Sequence, residues 1–308
     1  MTRTQKRLKL LNQVWALRPR NWLACTASMT LGLMALSLPS QAQPLGGKQE
    51  MVYEVYAGGI HAVQATLVMD LSEKGRYDLS LSAKTRGLLG KLAPWHGTFE
   101  SNGWRLGNAS FTPQLHRSTT TWREEEEVKS YNYAKDGSFK SLVIKDFNKK
   151  PRTETPDAAL TDQTQDVFTA TLETLSQVAL GQGCGHSADI FDGKRRFAQN
   201  FVPKTEETLH QSRYNIYEGA STVCTVEIEP KGGAWHKKPR GWMSIQEQGR
   251  EKGMMPTVWM AQITPNMPAV PIKILVKTNY GALFMHLAQY NGGGEFLVAE
   301  KRVTTEED

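Results

Sequence analysis

The chain has 308 residues, with 37 Lys+Arg against 31 Asp+Glu and three Cys. That length is compatible with one large β domain or two small domains. The surplus positive charge lies wholly in residues 1–42, which leaves 31 charges of each sign beyond them and removes any compositional case for a nucleic-acid partner.

Residues 1–21 carry Arg3, Lys6, Arg7, Lys9, Arg18 and Arg20 and no acid. Residues 22–38 are uncharged and mostly apolar, Pro39 breaks the run, and Ser40-Gln41-Ala42 offers small residues where a signal peptidase reads. Charged start, apolar middle and small-residue exit read as a cleaved export signal over 1–42, so the mature chain is expected in the periplasm. An uncleaved anchor is the alternative, but about 17 apolar residues are at the short limit of a bilayer span. Cys25 lies inside the apolar run, not at its end, which argues against lipid modification. No stable transmembrane anchor is expected after cleavage.

From residue 50 onward, short β-prone runs alternate with Gly-containing turns. Residues 51–56 and 60–70 read as strands around Ala57-Gly58-Gly59. In 77–83, Tyr77, Leu79, Leu81 and Ala83 alternate with polar residues, the period of a half-buried strand. Asn102-Gly103, Asp136-Gly137, Asp192-Gly193 and Glu218-Gly219 have the chemistry of tight hairpin turns. The last of these is expected to join strands at 214–217 and 221–228. Four more strands are expected at 241–245, 257–261, 272–278 and 282–288. The polar run 148–156 reads as a linker, and 301–308 as a disordered tail.

Residues 163–180 break this pattern. Val167, Phe168, Leu172, Leu175, Val178 and Ala179 follow helical spacing, with Asp162 as N-cap and Gly181 or Gly183 as stop. This predicts one substantial helix, placed as the lid or plug of a curled sheet. The fold class is therefore mainly β, a curled antiparallel sheet forming an open barrel or β-spiral over a single domain, 43–300.

Cys184 and Cys224 remain after signal removal, an even count that suits an oxidising compartment and predicts a disulfide. Two buried free thiols are the alternative. No phosphate loop, dinucleotide fingerprint or serine-hydrolase elbow is present, and no two His are closer than 20 residues. No cofactor, metal or catalytic residue is expected, and the chain is read as a non-enzyme. Glu124–127 reads as a solvated edge strand or loop. The runs Lys194-Arg195-Arg196 and Lys237-Lys238-Pro239-Arg240 read as solvated faces, with contact to anionic headgroups or an acidic surface as the alternative.

Trp and Met are plentiful. They fill a core or, in part, line an adaptable apolar groove. The candidate groove residues are Leu88, Leu89, Leu92, Trp95, Phe168, Leu172, Leu175, Trp242 and Trp259, with 87–95 as a mobile apolar loop at its mouth.

Several landmarks in sequence order resemble the bacterial family called domain of unknown function 3108. They are Tyr53-Glu54-Val55-Tyr56-Ala57-Gly58-Gly59-Ile60, Thr85-Arg86-Gly87-Leu88, Glu100-Ser101-Asn102-Gly103-Trp104 and Asp166-Val167-Phe168-Thr169-Ala170. The later ones are the Asp192-Gly193 hairpin, Tyr217-Glu218-Gly219-Ala220 with Cys224, Pro271-Ile272 and Tyr280-Gly281. The resemblance spans about residues 50–290. It implies a periplasmic location and a curled β architecture similar to lipoprotein-carrier folds, and it brings no reaction. The expected function is a non-enzymatic envelope protein that binds an apolar small molecule, a lipid or a partner protein. A scaffolding module with a filled core is the second reading, and a hydrolase of an envelope polymer the third.

Overall fold

The computed structural model describes residues 44–278 and 281–302. The expected signal over 1–42, Tyr280 and most of the expected tail, 303–308, lie outside the described residues. The chain begins as a meander: β1 (Lys48–Ala57), β2 (Ile60–Asp70), β3 (Arg76–Thr85), helix α1 (Gly87–Leu92), β4 (Trp95–Arg105), β5 (Phe111–Trp122), β6 (Glu125–Tyr133), β7 (Phe139–Lys145) and a short β8 (Arg152–Glu154). Helices α2 (Ala158–Thr161) and α3 (Val167–Ala179) lead into β9 (His186–Phe191), β10 (Arg195–Pro203), β11 (Glu207–Leu209) and β12 (Gly219–Gly233). Helix α4 (Trp242–Lys252) precedes β13 (Thr257–Ala261), β14 (Val270–Thr278), β15 (Gly281–Gly292) and β16 (Glu295–Val298).

All strands join one antiparallel sheet, in the order β8-β7-β6-β5-β4-β3-β2-β1-β15-β14-β13-β12-β10-β9, with β11 on β12 and β16 on β15. Antiparallel neighbours need only short turns, which is why so many brief runs can join one sheet. Pairing of β1 with β15 welds the two halves of the chain together. The sheet curls without closing. Its terminal strands β8 and β9 do not pair, yet Phe191 of β9 packs with Tyr131 and Tyr133 of β6 and Leu142 and Ile144 of β7. The Tyr131 hydroxyl donates to the Asp192 carbonyl at 2.8 Å.

Helix α3 lies in the resulting hollow. Leu172 and Leu175 join a core with Met51, Tyr53, Tyr77, Val258, Met260 and Leu287. Cys184 and Cys224 form a disulfide within that core, with Cα atoms 6.5 Å apart. Asp166 caps the helix, accepting from the backbone N–H groups of Phe168 and Thr169, so it begins after Asp166 and not at Asp162. Gly181, at φ 71°, supplies the left-handed residue just past its end.

Other expectations need correction. Asn102-Gly103 makes no hairpin, because β4 runs straight through it with a register shift against β5. Glycine stands there for room: a Cβ on Gly103 would meet the Thr112 carbonyl oxygen at 2.1 Å and Tyr77 at 2.8 Å. Glu218-Gly219 is no two-residue turn, since β12 starts at Gly219 and pairs with β11. Residues 214–217 are irregular and tied down by the Ile216 N–H donating to the Leu287 carbonyl at 3.2 Å. Residues 87–95 hold helix α1, and the linker 148–156 holds the edge strand β8. The Glu124–127 run, by contrast, lies as expected in a loop and at a locally open edge: Glu124 is in the turn before β6, and Glu125, Glu126 and Glu127 pair with β5 but extend past the β6–β7 pairing, which starts at Val128. Lys301 begins the expected tail, but its N–H donates to the Arg213 carbonyl at 2.7 Å.

The largest correction is a second substantial helix. Residues 241–245 open α4 and form no strand. Gly241, at φ 56°, turns the chain, and the Gln-, Glu-, Arg- and Lys-rich stretch to Lys252 sustains a helix that ends at left-handed Gly253. Fully buried Gln246 fixes it to the sheet: its Nε2 donates to the Ile228 carbonyl at 2.9 Å and its Oε1 accepts from the Ile228 N–H at 2.6 Å.

The outer face of β1 and β15 carries an aromatic cluster. His286 stacks on Phe284 and Tyr214, with ring centres 5.9 and 6.0 Å away, and its Nδ1 finds no partner among the described residues. Burial, reinforced by cross-strand Lys273, pushes the His286 pKa below its ordinary value of 6.5. The unfolded chain therefore takes up a proton that the folded chain refuses, and stability drains away as pH falls below about 6.5. His286→Gln is expected to flatten the loss of stability measured by denaturant titration between about pH 7.5 and 5. An unchanged pH profile would assign that loss to other groups.

Candidate ligand-binding cavity

Beside α3 the curled sheet leaves a cavity of about 570 Å³. Its walls follow from two periodicities. Residues four apart on α3 share a face, so Val167, Thr171 and Leu175 present one stripe. Residues two apart on a strand share a face, so β10 adds Phe197, Gln199 and Phe201, and β12 adds Val226 and Ile228. Val258 and Met260 of β13 and Ile274 of β14 complete the floor, while Trp242 and Met243 at the start of α4 close one side.

Polar groups are few. Gln199 Nε2 donates to Thr171 Oγ1 at 3.3 Å. Arg195 lies at the margin, its Nη2 2.6 Å from an Asp192 carboxylate oxygen and its guanidinium 4.8 Å over the Trp235 ring. The Trp242 indole Nε1 is buried without a hydrogen-bond partner among the described residues. A second cavity, of about 480 Å³, shares Val167, Asp192 and Phe197 with the first and continues past Phe168, Phe99 and Phe191.

The sequence-derived groove residues fall into separate places. Leu175 and Trp242 line the first cavity, and Phe168 lines the second. Leu172 is core, packed with its neighbours and absent from either lining. Trp259 faces away, because strand alternation sends it opposite to Val258 and Met260. There its indole N–H donates to Glu207 at 2.9 Å, with the Lys273 ammonium 4.3 Å over its ring. Leu88, Leu89 and Leu92 project from α1 at 63%, 38% and 68% exposure and line neither cavity. Trp95, at the start of β4, lines a separate pocket of about 450 Å³ with Trp122 at the end of β5. Sequence reasoning missed the whole β10–β12 wall, although Phe197, Gln199 and Phe201 at spacing two could have revealed it.

A Ser–His–Asp constellation, also missed, lies at the helix start. Ser101 Oγ is 2.7 Å from both His116 Nδ1 and Asp166 Oδ1. The carboxylate can only accept, and serine has one proton, so Ser101 donates to Asp166 and accepts from the His116 Nδ1–H. A serine nucleophile needs the reverse, its proton aimed at a basic imidazole nitrogen. Ser101 is moreover fully buried. Asp166 Oδ1 also accepts from Phe168 N at 2.9 Å and Thr169 N at 3.0 Å, and Oδ2 from Thr169 Oγ1 at 2.6 Å. Thr169 in turn accepts from the Tyr77 hydroxyl at 2.7 Å. The network pins α3 to β3, β4 and β5, and its geometry serves position over nucleophilic attack.

Among the described residues no three His, Cys, Asp or Glu side chains are grouped to hold a metal ion, and no helix is long and apolar enough to cross a membrane. No curated protein and no solved structure gives a significant match to the chain. The family described as a protein of unknown function (DUF3108) matches residues 52–288, from β1 into β15, and so takes in both cavities and the network beneath them. Because that match covers most of the chain, the protein belongs to this family.

Proposed function

We propose that the chain is an exported, non-catalytic binding protein that holds an apolar, acyl-type ligand in the cavity beside α3. The carrying observation is the cavity itself, about 570 Å³ walled by aliphatic, aromatic and thioether side chains. Its size is within the ~300–1,000 Å³ of small-molecule sites, which are mostly apolar with a few placed polar groups. A scaffolding protein gains nothing from such a space, since unfilled apolar volume lowers stability. The periplasm is the compartment that fits the residue order of 1–42 and the Cys184–Cys224 bridge.

Fractionation of cells that make the full chain tests the compartment, and recovery with the cytosol would defeat it. Solvent extraction of the purified protein followed by mass spectrometry is expected to release acyl compounds in near-stoichiometric amount. Emptied protein is expected to bind an apolar fluorescent probe. Ile228→Trp, which fills the cavity from its β12 wall, should abolish that binding with the melting transition retained. Probe binding equal in the filled variant would rule out this cavity as the site.

A further inference from the structure

Resting on that reading, we infer that the ligand carries an anionic head, a carboxylate or phosphate, which the cavity margin holds with Arg195 and Arg240. The two short basic runs of the sequence lie about 40 residues apart in the chain, yet the fold brings them together. Arg195 pairs across the sheet with Gly233, and the Ala234 N–H donates to the Lys194 carbonyl at 3.1 Å. The segment that follows, carrying Lys237, Lys238 and Arg240, is thereby anchored beside the β9–β10 turn. Arg195 and Arg240 both line the apolar cavity.

The charge there is unbalanced. Asp192 is the one carboxylate of the lining, and it is already saturated. It accepts from the Lys194 and Arg195 N–H groups at 3.0 and 2.8 Å and pairs with the Arg195 side chain. Arg196 is held by Asp189 at 2.6 Å. Arg240 has no ion pair among the described residues, and Lys194, Lys237, Lys238 and Arg240 are exposed. Two donors add to the cationic side: the unpartnered Trp242 indole N–H, and the start of α4, whose first turn lacks a side-chain cap. A guanidinium recognises carboxylate or phosphate through paired hydrogen bonds. An apolar interior with a cation- and donor-rich margin is complementary to a single-chain anionic amphiphile.

Displacement of the bound apolar probe tests this with amphiphiles that share a twelve-carbon chain. Dodecanoate and dodecyl phosphate are expected to displace it at concentrations about tenfold below those of dodecyl maltoside, with dodecyltrimethylammonium weakest. Comparing the two anions distinguishes a fatty-acid head from a phosphate head. Arg240→Gln is expected to remove most of that preference. Lys91→Gln, the same change of net charge on helix α1, which lines neither cavity, is expected to preserve it. Equal displacement by all four compounds, or loss of preference in both variants alike, would overturn the anionic head while leaving the apolar cavity as the binding site. Failure of the probe and of every amphiphile to bind would overturn the proposed function as well.

Discussion

Replacing Cys184 and Cys224 together by alanine is expected to lower stability by about 4 kcal/mol and the melting temperature by roughly 10 °C. The bridge joins positions 40 apart in sequence, and closing a loop of that size removes this much chain entropy from the unfolded state. Both cysteines are fully buried in the main core. Alanine leaves no unsatisfied hydroxyl there, so the double serine variant should fall further by the cost of burying two. The effect reaches the cavity because Cys184 follows α3 closely and Cys224 lies in β12, so the bridge ties the end of that helix to the sheet strand opposite. Denaturant titration of the wild type with and without reductant, beside the double variant, measures the term. A loss under about 1 kcal/mol would mean that reduced protein keeps the same constraint in its unfolded ensemble.

The β framework was legible because alternation is a local signal. The expected strand at 60–70 coincides with β2, and those at 51–56, 77–83, 257–261, 272–278 and 282–288 each fall on a strand of the sheet. Asp136-Gly137 and Asp192-Gly193 do turn hairpins, since each glycine takes the positive φ the turn needs, 86° and 95°, and each Asp carboxylate accepts from the N–H two residues on. Asn102-Gly103 misled because its glycine answers to Tyr77 and Thr112, neither of them close to it in sequence. Trp242 to Ile245 misled because four residues with three large apolar side chains suit a strand or a helix equally. What decides the matter is Gln246, a polar residue that a pattern reading assigns to the surface and that in fact bonds the backbone of β12.

The candidate site was less legible for the same reason. Leu175 and Trp242 could be proposed one by one as greasy residues, but the wall they share with Phe197 and Val226 exists only once β10, β12, α3 and α4 are assembled. The basic runs show this most clearly. Each by itself is an ordinary solvated stretch, and their meaning comes from the pairing of β10 with β12 that sets Arg195 against Gly233.

Asp166→Ala is expected to cost about 3–4 kcal/mol, the second large effect, because one carboxylate serves two elements. Loss of a helix N-cap costs about 1 kcal/mol. The remainder comes from the hydroxyls of Ser101 and Thr169, both fully buried, which lose their acceptor, each at about 1–3 kcal/mol before relaxation. Asp166→Asn should fall between, since its remaining oxygen can still cap the helix while its amide forces Thr169 to reverse its hydrogen bond. Ser101→Ala removes one donor and leaves the cap, so it should cost only about 1 kcal/mol. This ranking separates a positioning network from a catalytic one, where Ser101 and Asp166 would be about equally indispensable. Probe affinity should follow the same order as the losses in stability, because loosening the start of α3 displaces Val167, which lies one residue beyond the cap and divides the two cavities. An Asp166→Ala protein as stable as the wild type would remove the network from its place as the anchor of α3, and a Ser101→Ala protein with intact stability but a lost hydrolytic activity would restore the catalytic reading.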